Sequence, residues 1–180
     1  MNFNLTFFNN IISILGVLGQ LLLLGLIIIL IFKKESKIFI FLKENSFLLA
    51  FIIAFTATLG SIFYFEIFKV EPCLLCWYQR ILMYPQALIL GLALYKNDKN
   101  IKNYIIFLSI IGLGIALYHN LIQINSNLNT ICSINSNLSF GDCSSKYIIG
   151  LNYITIPFMS LLSFSLILVL MLFNKNKNIE

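Results

Sequence analysis

Five long apolar runs dominate the sequence and decide what the chain can fold into. Each is close to the roughly 20 residues that a helix needs to cross a hydrocarbon core about 30 Å thick. The runs cover residues 11–32, 47–68, 78–95, 104–124 and 148–173. Lipid offers no partners for free backbone N–H and C=O groups, and the runs are too long for barrel strands, so each is predicted to be an α-helix. The chain is therefore predicted to be an all-α membrane protein, a single transmembrane helical bundle.

Composition and charge agree with a membrane protein. Hydrophobic residues make up 59% of the 180 residues and charged residues 11%, a balance that excludes a water-soluble globule. The net charge of +5 does not indicate nucleic acid, because nine of the twelve basic residues fall in segments 33–46, 96–103 and 174–180. By the positive-inside rule these segments are predicted to be cytoplasmic, and loops 69–77 and 125–147 extracytoplasmic.

The first apolar run is predicted to be a retained helix with its N-terminus outside. A signal peptide has a basic start and an apolar core of about 7 to 15 residues. Here the leader MNFNLTFFNN is uncharged and the run is 22 residues long. The predicted organisation is an N-terminal helix with a basic turn (1–46), a four-helix core (47–173) and a cytoplasmic tail (174–180). Cleavage of the first run would leave the four-helix core.

All four cysteines fall on the predicted outer side. Cys73 and Cys76 share one loop, and Cys132 and Cys143 share the other. The predicted topology rests on the lysine positions alone, so the location of all four cysteines on one side is independent support for it. An even number of cysteines that face an oxidising compartment usually forms disulfides, so two structural bridges are one interpretation.

The CxxC spacing of Cys73 and Cys76 favours redox exchange instead. Such a pair closes a small ring, which removes little entropy from the unfolded chain, and its usual role is thiol–disulfide exchange. Pro72 precedes the pair, and the third span begins near Cys76. The thiols are therefore predicted to lie at a helix N-terminus, where free N–H groups and the helix dipole favour a thiolate.

Arg80 follows Cys76 by four residues, on the same face of the predicted helix. We expect its charge to stabilise a Cys76 thiolate and to polarise an electron-poor carbonyl ligand beside it. Snorkelling to the headgroups is the alternative for an arginine near a helix end.

Zinc binding is another possible role for the thiols, since cysteines and His119 are suitable ligands. Ten residues separate Cys132 from Cys143, however, which is wide for a zinc knuckle, and no metal is predicted.

Four motifs carry a resemblance to a known family. They are PCLLCWYQRILMYP (72–85), YHNLIQ (118–123), GDC (141–143) and GLNYITIPFMSL (150–161). Together they resemble the disulfide bond formation protein B (DsbB) family, in its BdbC-like branch with shorter loops, over residues 47–173. The resemblance implies a four-helix core, to which this chain adds one N-terminal helix. It also implies an enzyme, a quinone-dependent thiol oxidase of the bacterial cytoplasmic (inner) membrane.

The resemblance implies a role for each cysteine. The partner would be an extracytoplasmic thioredoxin-like, DsbA-like dithiol oxidase, whose reoxidation supports disulfide bond formation. Cys132 matches the cysteine that the partner attacks, and Cys143 the one that exchanges with Cys73. Cys76 matches the cysteine that interacts with the quinone. Electrons would therefore pass from the Cys132/Cys143 pair to the Cys73/Cys76 pair and then to the quinone.

Two further residues are implied at the cofactor. Arg80 matches the arginine beside the quinone ring, and His119 resembles a family histidine close to the quinone. The sequence does not distinguish ubiquinone from menaquinone. Two other functions are alternatives. One is a vitamin K epoxide reductase-like enzyme, but there the loop cysteines precede the CxxC, whereas here they follow it. The other is a structural or transport protein with two stabilising bridges.

Two prolines lie inside predicted spans, Pro85 in the third and Pro157 in the fifth. Proline in a helix interior removes a backbone hydrogen bond and kinks the helix. Membrane helices tolerate such kinks. We therefore predict a kink at each position, and hypothesise that the bend at Pro85 helps to open a quinone slot.

Overall fold

The computed structural model describes residues 2–32, 37–68, 72–98, 100–125, 143, 148–150 and 153–173. Six helices and one two-stranded antiparallel sheet fill these ranges. The helices are α1 (Asn2–Phe32), α2 (Lys37–Glu44), α3 (Ser46–Phe68), α4 (Leu74–Lys96), α5 (Lys102–Ile124) and α6 (Ile156–Phe173). The strands are β1 (Ile148–Gly150) and β2 (Ile154–Thr155), which precede α6.

The all-α membrane bundle is confirmed. Among the described residues, four helices are long and apolar enough to cross a membrane, and they lie within α1, α3, α5 and α6. Helix α4 has the same 23-residue length as α3 and α5. It carries Gln79, Arg80 and Gln86, which lower its apolarity, and the two glutamines are buried inside the bundle. That α4 also crosses the membrane stays a prediction.

The core lies where α3, α4, α5 and α6 meet. Without a hydrophobic drive between helices in lipid, close approach of backbones provides much of the packing energy. Gly112 on α5 shows this directly, because a Cβ atom there would clash with the Phe164 ring on α6. Ala54 on α3 and Ala87 on α4 are buried, and their small side chains also allow neighbouring helices to pack closely. Small residues therefore set the helix spacing around the site described below.

The prediction that residues 148–173 form one helix is wrong at its start. Helix α6 begins at Ile156, after the short hairpin of β1 and β2. The Thr155 Oγ1 atom accepts the backbone N–H of Phe158 at 3.4 Å and caps the helix. Pro157 therefore lies in the first turn, where its missing N–H would have had no helical partner. The predicted kink at Pro157 is not required.

The basic segment between the first two spans is predicted to be a turn, but the structure differs. Eight of its residues form α2. Lysines 37 and 43 flank an apolar sequence, IFIFL, that suits a short amphipathic helix at a membrane surface. The ring of Phe39 packs 5.3 Å from the ring of Phe173 at the end of α6. Helix α2 thus closes the end of the bundle opposite the cysteines.

Candidate functional site

Helix α4 begins at the thiol pair, as the sequence predicts. Cys73 is the N-cap residue, with an extended backbone (φ −72°, ψ 169°). Its Sγ atom accepts the backbone N–H of Cys76 at 3.4 Å, so the sulfur takes the place of the usual capping oxygen. The two Sγ atoms lie 3.1 Å apart, and both thiols are free. A reduced CxxC pair is therefore held by the first turn of the helix.

His119 reaches the same thiol from α5. Its side chain is 2% exposed, and its Nε2 atom lies 3.6 Å from the Cys73 Sγ atom. On the other side of the ring, the Gln79 amide nitrogen lies 3.2 Å from Nδ1. An amide nitrogen only donates, so Nδ1 accepts and the ring proton sits on Nε2, directed at the sulfur. The geometry thus sets His119 as a hydrogen-bond donor to Cys73.

These donors stabilise a thiolate on Cys73, which lies just before the span. The side-chain hydrogen bond with Cys76 makes the largest contribution, and together with the hydrogen bond from His119 it lowers the pKa of Cys73 to about 5, although burial opposes this shift. The sequence instead predicts the thiolate on Cys76, through Arg80. The lowered pKa favours Cys73 as the thiolate of the dithiol, and the role of Cys76 stays a prediction.

Arg80 is anchored to α3 and does not simply extend to the membrane surface. Its Nε atom donates to the Ser61 hydroxyl at 2.8 Å, and its Nη2 atom donates to the Ser61 carbonyl at 3.3 Å. The guanidinium also lies 5.3 Å from the Phe65 ring centre and 5.6 Å from that of Trp77. These partners are neutral, so they hold the guanidinium in place without cancelling its charge.

A cavity of about 630 Å³ opens beside the thiol pair. Its polar end is lined by Cys73, Cys76, Gln79, Arg80 and His119, and most of the remaining surface is apolar. The volume is within the range of about 300 to 1,000 Å³ that is typical of small-molecule sites. A cation and two thiols at one end of an apolar cavity fit a ligand with an electron-poor polar ring and a hydrocarbon chain. The residues present therefore fit a lipid-soluble quinone.

The second cysteine pair is described in part. Cys143 is 1% exposed and disulfide-bonded, and it packs in one buried cluster with Cys73, Leu75 and Ile122. Cys132 lies outside the described residues. Of the predicted site residues, the structure thus brings Cys73, Cys76, Arg80 and His119 to one cavity, and it places Cys143 in the cluster behind Cys73.

Comparison with known proteins gives the family of the chain. The family model described as "Disulfide bond formation protein DsbB" matches residues 43–174. The chain belongs to the DsbB family. Membership makes it a multi-pass membrane protein of a disulfide-forming family and implies disulfide oxidoreductase chemistry. Helix α1 precedes the part of this DsbB-family chain that the family model matches.

Individual relatives agree with the family match. The chain is 44% identical over 124 residues to the "SPbeta prophage-derived disulfide bond formation protein B" of Bacillus subtilis, covering 69% of this chain and 81% of the relative. It is 42% identical over 131 residues to the "Disulfide bond formation protein C" of the same organism, covering 73% and 93%. It is 38% identical to a "Probable disulfide formation protein" of Chlamydia pneumoniae, covering 75% and 95%. No solved structure gave a significant match.

Sequence reasoning missed two residues that position this DsbB-family site. Gln79 orients His119, and Ser61 anchors Arg80. Gln79 carried a usable signal: it is a polar residue within a span, three positions after Cys76 and so on the same helix face. Ser61 carried none, because nothing in the chain order pairs it with Arg80.

The thiol pair and His119 also form a set of soft metal ligands. Among the described residues, the ligand atoms of Cys73, Cys76 and His119 lie within 4.8 Å of one another. The sequence offers the four cysteines and His119 as zinc ligand types, and three of these five residues form this set. Three protein ligands are one fewer than a structural zinc site uses. That the resting site holds no metal stays a prediction.

The pKa of Cys73 can be tested by alkylation. In the reduced chain, carboxamidomethylation of Cys73 should rise with a midpoint near pH 5, because the reactive thiolate is lost only below the lowered pKa. The measurement is mass spectrometry of the alkylated peptide after brief exposure between about pH 4 and pH 9. His119→Phe removes a donor and should raise the midpoint.

The matched control is Asn120→Ala, because Asn120 bonds to the Ala116 carbonyl of its own helix and takes no part in the site. It should leave the midpoint unchanged. A wild-type midpoint near the ordinary cysteine value of about 8.5 would refute the assignment of the thiolate to Cys73.

Proposed function

We propose that the chain is a quinone-dependent thiol oxidase that reoxidises an extracytoplasmic thioredoxin-like, DsbA-like dithiol oxidase. One observation carries the proposal. A CxxC pair with a hydrogen-bonded sulfur lies at the polar end of an apolar cavity inside a membrane bundle, with Arg80 beside it. A pair meant only to brace the fold would need neither the cavity nor the buried His119. This role places the enzyme in the pathway that supports disulfide formation in exported proteins.

Electrons enter at the second pair in this proposal. A thiolate of the partner attacks Cys132 in a Cys132–Cys143 disulfide, which forms a mixed disulfide and releases the Cys143 thiolate. The second thiol of the partner then closes the disulfide of the partner and releases Cys132. The result is an oxidised partner and a reduced Cys132/Cys143 pair, with two electrons and two protons transferred.

The inner exchange follows the same chemistry. The Cys143 thiolate attacks Cys73 in the Cys73–Cys76 disulfide and releases Cys76 as a thiolate. Cys132 then attacks Cys143, which restores the outer disulfide and leaves Cys73 and Cys76 as a dithiol. The shared burial of Cys143 and Cys73 supports this step. In this scheme each inner sulfur is a thiolate at a different stage. Cys76 is the thiolate while Cys73 and Cys143 form the mixed disulfide, and Cys73 is the thiolate in the dithiol.

The dithiol must then lose two electrons and two protons to return to a disulfide. A bound quinone supplies a two-electron, two-proton acceptor that is soluble in lipid. Arg80 would hold its ring at the polar end of the cavity. His119 keeps its Nε2 proton directed at the Cys73 sulfur and so favours the thiolate, while Cys76 holds the proton that the two sulfurs share. Either ubiquinone or menaquinone satisfies these requirements.

We further propose that the protein lies in the bacterial cytoplasmic (inner) membrane, with its N-terminus and cysteine loops outside and its C-terminus inside. The thiols lie at the start of α4, and Lys96 and Lys102 lie at its opposite end and at the start of α5. Residues 47–173 would form the catalytic core, 1–46 an added helix with its basic loop, and 174–180 the cytoplasmic tail. No role for nucleic acid is proposed.

Loss of either inner cysteine should abolish activity. In lipid nanodiscs, Cys73→Ala and Cys76→Ala should each reduce quinone at less than about a hundredth of the wild-type rate when a reduced dithiol protein is supplied, because neither variant can form the inner disulfide. Quinol formation is followed by absorbance. Leu88→Ala changes a lipid-exposed residue on the same helix and should keep the wild-type rate. Turnover that survives in Cys76→Ala would rule out the proposed route.

Trapping tests the outer half of the relay. Cys143→Ala leaves Cys132 as a free thiol, so with an oxidised partner its thiolate should attack the partner's disulfide, form a mixed disulfide and release one partner thiol. Non-reducing electrophoresis followed by mass spectrometry would detect this adduct and name the partner. The Cys132→Ala/Cys143→Ala double variant should form none. If the adduct formed equally in the double variant, Cys132 would not be the entry point.

A further inference from the structure

Helix α1 lies outside the matched DsbB region, yet it forms one wall of the cavity. The lining residues on α1 recur at helical spacing and so share one face of the helix. They are Ile11, Ile12, Leu15, Leu18, Gly19 and Leu22. An added helix that served only as a membrane anchor would need no such alignment with the redox site.

Contacts along its length hold α1 in this position. Near its outer end, the Tyr64 hydroxyl of α3 donates to Asn9 Oδ1. Toward its inner end, Leu26 is buried in the main core. Between them, α1 packs chiefly against α6, where a Cβ atom on Gly19 would lie 2.8 Å from the Cδ2 atom of Leu162. The helix is therefore placed by specific contacts.

The space between α1 and α3 is the apolar part of the cavity. Helix α3 lines it with Ile52, Ile53 and Ala57, and with Gly60, where an added Cβ atom would meet nothing within 4 Å. This apolar part is continuous with the polar end at Cys76 and Arg80. A ligand whose ring lies at the thiols would therefore direct a hydrocarbon chain along α1.

We propose that α1 is part of the acceptor site and that its cavity face binds the isoprenoid tail of the quinone. The proposal rests on the proposed function, since it takes the quinone as the acceptor. The tail is the occupant that the geometry favours, because one cavity is lined by the thiols and by apolar residues of α1 and α3 within the membrane-spanning segments. The helix added to the family core would thereby determine how tightly tailed quinones bind, without taking part in the thiol chemistry.

The test compares two tryptophan substitutions on α1. Leu18→Trp places a bulky side chain on the cavity face, whereas Leu24→Trp places it off that face. The two leucines lie on the same helix and have nearly the same exposed fraction, 56% and 58%. The two substitutions therefore differ chiefly in whether they change the cavity face. Full-length protein in nanodiscs is assayed with an isoprenoid-tailed quinone and with the same ring carrying a methyl group in place of the tail.

Leu18→Trp should raise KM for the tailed quinone about tenfold and leave kcat and the KM for the tailless quinone within about twofold. Quinone that stays bound through purification, measured by extraction and mass spectrometry, should fall in the same variant. Leu24→Trp should match wild type in each measurement. Gly19→Leu, which pushes α1 away from Leu162, should act like Leu18→Trp, with Gly25→Leu as its control because an added Cβ atom there meets nothing within 4 Å.

Two other results would overturn the inference in distinguishable ways. If wild type reduces quinone but Leu18→Trp and Leu24→Trp give the same KM, bilayer lipid fills the slot and only the role of α1 fails. If wild type reduces neither quinone, the proposed function fails and the inference fails with it. An equal rise in KM for the tailed and tailless quinones would place the effect of α1 on the ring and contradict tail binding.

Discussion

The hydrogen bonds that converge on the Cys73 sulfur organise the site. One partner of this sulfur is the backbone N–H of Cys76, which is free to bind it only because α4 starts there. The others are the Cys76 sulfur and His119, which comes from α5. Gln79 fixes the ring orientation from the second turn of α4. The sulfur is thus stabilised by groups from two packed helices, and the chemistry depends on how closely α4 and α5 approach.

Lipid imposes the second constraint. Polar groups within a bundle are costly unless they are satisfied, so Gln79, His119 and Arg80 persist only with partners inside the protein. Here each partner also serves the site: Gln79 and His119 satisfy each other, and Ser61 holds Arg80 at the cavity. The same contacts that make the polar groups tolerable in a membrane therefore hold them beside the thiols at the cavity.

Much of this could be predicted from the sequence. Hydrophobic runs are sufficient to predict an all-α membrane bundle, and the CxxC before an apolar run predicts thiols at a helix N-terminus. The start of α6 is not visible in the sequence because apolar strand residues such as Ile154 lie directly before the apolar residues of the helix. The thiolate was assigned to Cys76 because the i+4 position of Arg80 is visible in the sequence, whereas the contact of His119 with Cys73 depends on tertiary packing. The alignment of α1 with the cavity is likewise a matter of packing between distant segments.

The central claim is that electrons from a protein dithiol leave the chain through Cys73 and Cys76 to a quinone in the membrane. The most direct measurement is the stoichiometry of the reaction under strict anaerobiosis, with the full-length chain and a quinone in nanodiscs and a reduced thioredoxin-like protein as the electron donor. The account predicts one quinol for each disulfide formed in the donor. Disulfide formation without quinol, or quinol formation without donor oxidation, would contradict it.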